Sequence, residues 1–214
     1  MPIEPFGGIA DAIAELCHPE VVWFRGHVRQ HRLLPALFRF PRGSEHERLL
    51  MERCRLRSSD AGQEEGASYL HALMTMHDRY VPTRLLAWTE RLYVALFCAF
   101  VRESDGATIF VLDPVRLNAL SGADGVVEVS ARNGPDASSR EAWQGEAALP
   151  ERPLAVAWRS RSQDRSGRET VFTAHGRNAL PLERQCPDCV RKVVLSKEER
   201  VIGMQAVMSS ALTL

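Results

Sequence analysis

The chain has 214 residues, 45% of them hydrophobic and 25% charged, and its 27 basic side chains balance its 27 acidic ones. That length holds one domain with a real core, and a zero net charge supplies no global basic field for nucleic acid. The longest apolar run, Val94 to Val101, is too short to span a bilayer, so no membrane partner is expected. The start of the chain lacks a signal-peptide pattern, and five cysteines, an odd count mostly in apolar surroundings, point to a reduced cytoplasmic protein.

Residues 6–16 carry Phe6, Ile9, Ile13 and Leu16 at helical spacing, and Pro19 ends that helix. Val21 to Phe24 is β-prone without alternation, which predicts a buried strand ending at Arg25-Gly26. Such an ending delivers a cation to a sheet edge and lets the backbone approach a ligand closely. The plainer role for Arg25 is a salt bridge to a neighbouring carboxylate. Ser44-Glu45-His46-Glu47 has a capping-box pattern and predicts a helix to about Arg57; residues 58–66 read as a loop and 67–77 as a second helix. His77 then falls where a histidine caps the last carbonyls.

Pro82 forces Val81 to be extended, and Thr89 occupies an N-cap position before the apolar helix from Leu92. Between them lie Thr83, Arg84 and Thr89 on a segment anchored by Leu85, Leu86 and Trp88. Arg84 is open to two roles, a phosphate contact or a structural pair with Glu90 or Asp113. Trp88 reads as core. Residues 107–112 form a further strand, and Asp113-Pro114 caps a short helix. Residues 133–139 read as a loop able to act as a lid. A strand at 154–158 leads into a connection with Arg159, Arg161, Arg165 and Arg168. An alternating strand follows at 169–176; on regular backbone Glu169 and His175 share a face, which makes His175 a general-base candidate. Cys186-Pro187-Asp188-Cys189 suits half a zinc site or a redox pair, but no second pair completes the four ligands, so no metal is assigned. A strand at 191–195 and a second capping box, Ser196 to Glu199, open a closing helix to about Met208. Strands and helices mix without βαβ alternation or a phosphate loop, which predicts an α+β fold: one domain with a mixed, mostly antiparallel sheet flanked by helices.

Phe24-Arg25-Gly26-His27, the run Leu33-Leu34-Pro35-Ala36-Leu37-Phe38-Arg39 and Pro82-Thr83-Arg84-Leu85-Leu86-Ala87-Trp88-Thr89 together resemble the FRG-domain family. The family's segment has Asp where this chain has Ala87, and its Gln-His-Tyr-Gly-Leu is replaced by His77-Asp78-Arg79-Tyr80-Val81. Arg165 and Phe172-Thr173 match a later family pattern. The resemblance implies an N-terminal helix at 1–19, an FRG-type domain at 20–205 and a C-terminal end at 206–214.

The order Arg25, Thr83, Glu169 also looks like the Arg, Ser/Thr, Glu order of ADP-ribosyltransferases. On that likeness Arg25, Thr83 and Glu169 are the catalytic candidates, and Arg25, Gly26, Arg84, Thr89 and His175 hold the cofactor, NAD. A carboxylate suits the oxocarbenium-like charge of nicotinamide–ribose cleavage, and an Arg pairs with pyrophosphate. The expectation is an NAD-splitting or ADP-ribosyl-transferring enzyme of a bacterial toxin or defence system, with a protein or nucleic-acid target. The rival is a non-catalytic module that binds a nucleotide, nucleic acid or protein in the same cleft.

Overall fold

The computed structural model describes residues 6–56, 69–102, 106–130, 134–135, 150–159 and 170–211. The strands are β1 (Trp23–His27), β2 (Leu85–Thr89), β3 (Thr108–Leu112), β4 (Val127–Ser130), β5 (Gly134–Pro135), β6 (Leu154–Arg159), β7 (Thr170–Ala174) and β8 (Val190–Val194). They join in one sheet, ordered β5-β4-β6-β7-β2-β1-β3-β8. The β4–β6 pair is parallel and the others are antiparallel. The helices are α1 (Gly7–Ala14), α2 (Gly43–Leu56), α3 (Tyr69–Asp78), α4 (Leu92–Phe100), α5 (Pro114–Leu120), α6 (Leu182–Gln185) and α7 (Lys197–Ala211). This is the expected α+β architecture, a mixed and mostly antiparallel sheet flanked by helices.

The two-residue period of the central strands sorts their side chains onto two faces. Trp23, Leu86, Trp88, Phe110, Leu112 and Val171 pack on one face with Leu117 of α5 and Leu182 of α6. On the other, Phe24, Ile109 and Val111 pack with Ile9 of α1 and with Ala95, Ala99 and Phe100 of α4. Beside them Leu85, Val156, Phe172 and Ala174 pack with Leu70, Leu73 and Met74 of α3.

Several local expectations change. Residues 85–89 form a central strand rather than an extended lead-in to a helix, because β1 and β7 supply ladder partners on both sides. Thr89 does not cap α4: its Oγ accepts from Arg91 N at 3.1 Å while Arg91 occupies the cap position. β1 runs through Arg25 and Gly26 to His27 instead of stopping at them. The first capping box does not form, since α2 begins at Gly43, already before Ser44. The second does: Glu199 N donates to Ser196 Oγ at 3.1 Å and Ser196 N to Glu199 Oε2 at 2.9 Å. Asp113 caps α5 as expected, accepting from Arg116 N at 2.8 Å. Cys186 and Cys189 are joined as a disulfide with Cα atoms 5.4 Å apart, not held as reduced thiols. The loop at 58–66 and the connection at 160–168 lie outside the described residues, as does the 133–139 stretch apart from Gly134 and Pro135.

Candidate functional site

β1 pairs with β3 along all five of its residues but meets β2 only at Phe24 and Thr89. Past that point the two strands part, and Arg25 stands in the fork. Its Nη1 donates to the Ala87 carbonyl of β2, and its Nε donates to His27 Nε2 at 2.7 Å. Two residues apart on one strand, Arg25 and His27 share a face. Burial, then the charges of Arg25, His31 and Arg39, pulls the His27 pKa down to about 3, partly opposed by a backbone hydrogen bond with His31. His27 is therefore neutral and can accept from a guanidinium. Burial, then Arg39, likewise pulls Arg25 down to about 10, partly offset by Cys98. Among the described residues no carboxylate pairs with Arg25, so the plain salt-bridge role is not the one it takes.

His77 reaches the same place from α3. Its ring lies edge-on to Phe172, with centroids 5.0 Å apart, and Phe172 is the ladder partner of Ala87. Burial lowers its pKa; Asp78 opposes the fall and Arg25 adds to it. It packs on the sheet rather than capping its helix.

Thr83, Arg84 and His175 go elsewhere. Thr83 lies four residues before Ala87, across a bend at Arg84 and outside β2. It is buried, and its Oγ accepts from Leu85 N at 3.3 Å. Arg84 is buried and paired with Glu47 of α2, not with Glu90 or Asp113. Its Nε lies 2.9 Å from both Glu47 oxygens, and its Nη1 donates to the carbonyls of His175 and Gly176 at 3.1 and 2.7 Å. Tyr69 donates to the same carboxylate at 2.9 Å. Burial alone would lower the Arg84 pKa, but the Glu47 hydrogen bonds and charge outweigh it and raise it. His175 is fully buried, and burial with the Arg84 charge holds its pKa at about 3. Its Nε2 lies 3.3 Å from Thr173 Oγ, which accepts from Trp88 Nε1 at 3.1 Å. These groups form an internal polar brace beneath α2.

Gly26 owes its identity to a helix. A Cβ there would stand 1.8 Å from the Ala95 carbonyl oxygen and 2.8 Å from Ala99 N of α4. Thr89 stays near Arg25, since it pairs with Phe24 on one side and Thr170 on the other. Glu169 lies outside the described residues; its neighbour Thr170 ends that row of three strands. Reading the sequence missed His27 and demoted His77. The alternation of Arg25 and His27 was the available signal for the first.

Residues 20–107 match the family model of the FRG domain. That match covers 88 of the 214 residues. No curated protein and no solved structure matches the chain. The matched stretch contains both sides of the Arg25 fork, while β3 to β8, which complete the sheet, lie beyond it.

The altered segment before Pro82 now has a physical reading. Tyr80 stands where the family has glycine, and its φ is +58°. It ends α3 in the left-handed region, with Val81 N donating to the Met76 carbonyl at 3.0 Å. That conformation costs a non-glycine residue roughly 1–2 kcal/mol. The ring is 93% exposed and gains nothing from packing. Tyr80→Gly should therefore raise stability by about 1 kcal/mol, slightly less than the strain because glycine also loosens the unfolded chain. A thermal melt should shift up by about 2–4 °C; an unchanged or lower midpoint would count against the strain.

Proposed function

We propose that this chain binds a nucleotide through its phosphates at Arg25, and that the nucleotide is NAD. One observation carries the reading: Arg25 is a partly buried cation, without a carboxylate among the described residues, held in place by a neutral imidazole and a carbonyl. A desolvated guanidinium gains most from an anion, and its planar fork suits a pyrophosphate oxygen pair. Nε and one Nη1 proton are engaged within the protein, so the second Nη1 proton and both Nη2 protons are left for a ligand. His77 stands on the α3 side of the same opening and suits a ribose hydroxyl or a proton-transfer role.

The enzymatic form of the proposal assigns the carboxylate to Glu169. The nicotinamide–ribose bond breaks as water or an acceptor oxygen attacks C1′. Nicotinamide leaves with the bonding pair, the attacking O–H gives up its proton to solvent, and Glu169 stabilises the oxocarbenium-like charge. Thr83, Arg84 and His175 support the sheet in this reading and do not touch NAD. A toxin or defence setting follows from the family resemblance and depends on that activity.

Calorimetry with NAD tests the binding site. Arg25→Ala should weaken binding by about 10- to 150-fold, the scale of a lost charge-assisted hydrogen bond. Arg25→Lys keeps the charge but loses the fork, and should fall between. Glu169→Gln should leave binding in place and abolish nicotinamide release. A folded Arg25→Ala protein that binds NAD as the parent does would sink the proposal.

A further inference from the structure

The segment that carries Arg25 has a charge pattern hidden by the neutral total. From Val21 to Ser44 there are five arginines, two histidines and no acid. Arg42 pairs with Glu45. Arg29, Arg32 and Arg39 are exposed and, among the described residues, have no carboxylate partner. Lys192 of β8 joins them: its Nζ donates to Gln30 Oε1 at 2.6 Å, and its ladder partner Phe110 is also the partner of Arg25. Besides Glu45, Glu183 touches this segment, where it accepts from the Leu33 backbone N–H at 3.1 Å. The like charges act on one another, since Arg39 lowers the Arg25 pKa and both, with His31, lower that of His27. Protein surfaces usually intersperse the two signs, and a one-sign field of this kind raises the local concentration of anions.

Phe40 adds a second and independent feature. It lies between Arg39 and Arg42, 58% exposed, in extended backbone. More than half of this residue is open to solvent, so the ring offers an apolar face among cations. A stacking platform beside phosphate contacts is the arrangement that binds single strands, whose bases are free to lie on a ring.

We infer that Arg29, His31, Arg32, Arg39 and Lys192, with Phe40 as the stacking ring, form a binding surface for single-stranded nucleic acid. It goes beyond the nucleotide site, because no part of it needs NAD. The phosphate backbone lies along the arginines and one base stacks on Phe40.

Fluorescence anisotropy with a labelled oligothymidylate and a labelled oligouridylate of about twelve nucleotides tests it. For three phosphate contacts, affinity should fall about 20-fold between roughly 50 and 200 mM salt. The double variant Arg29→Ser/Arg32→Ser should flatten the log–log salt slope by about 1.4 and leave the melting midpoint unchanged. Phe40→Ala should weaken binding about 5-fold or more while keeping the slope, since stacking carries no counterion. No binding of either oligonucleotide at low salt overturns the inference. So does a duplex that binds better than the single strands with no effect of Phe40→Ala, which would describe a general polyanion surface. NAD titration of the same double variant keeps the two sites distinct, because it should bind NAD as the parent does.

Discussion

Arg84→Ala should destabilise the fold by about 3–5 kcal/mol, the cost of leaving a buried charge without its partner. The charge left behind is the carboxylate of Glu47, buried under α2 and bonded otherwise to Tyr69. The carbonyls of His175 and Gly176 also lose their donor. A melting midpoint lower by about 6–20 °C is expected for a chain of this size. Glu47→Ala should cost a similar amount, and the double variant should cost clearly less than the sum, because the second deletion removes the orphan created by the first. A brace of two interacting residues predicts that non-additivity; a phosphate-binding Arg84 predicts none. If Arg84→Ala keeps the parental midpoint but loses NAD affinity, Arg84 is a ligand contact.

The same pair explains why one capping box was legible and the other misleading. Ser44-x-x-Glu47 and Ser196-x-x-Glu199 are equivalent as local patterns. Glu199 has no stronger partner and reaches back to Ser196. Glu47 has Arg84, thirty-seven residues on in the chain, and a buried guanidinium binds a carboxylate more strongly than a backbone N–H does. No local pattern carries that information. The strand at 85–89 was obscured for a similar reason. Leu85 and Leu86 are both buried, on opposite faces, so the segment shows no alternation; its neighbours in the sheet define it. The fold class, β3, the Asp113 cap and the closing helix were legible because each rests on a local rule that no distant residue contests.

The site was legible in its centre and not in its surroundings. Arg25 stood out, but whether a carboxylate met it depended on the fork between β1 and β2, which is a matter of register. The grouping of Arg25 with Thr83 followed chain order, but Arg25 bonds to Ala87 within β2, while Thr83 lies before that strand begins and bonds to Leu85. His77 lay one helix away, and the ladder pair of Ala87 and Phe172 brings it to the fork.

Gly26→Ala should destabilise the protein by about 3 kcal/mol, at the upper end of the overpacking range. The added methyl would sit 1.8 Å from the Ala95 carbonyl oxygen, 2.7 Å from its carbon and 2.8 Å from Ala99 N. All three are backbone atoms of α4, so no side-chain rotation relieves the contact. Either α4 lifts from the sheet or β1 shifts. Lifting α4 uncovers Phe24, Ile109 and Phe100 in its core cluster. Shifting β1 disturbs the fork, because Arg25 is anchored to β2 by one carbonyl only. The expected result is a melting midpoint lower by about 6–12 °C, with NAD affinity falling alongside it. The alternative, that Gly26 exists so a ligand can approach the backbone, predicts a different split: loss of affinity at an unchanged midpoint. In the packing account the glycine of the Phe-Arg-Gly motif serves its arginine indirectly. It seats α4 on one face of β1, while Arg25, on the other face, turns into the fork toward β2.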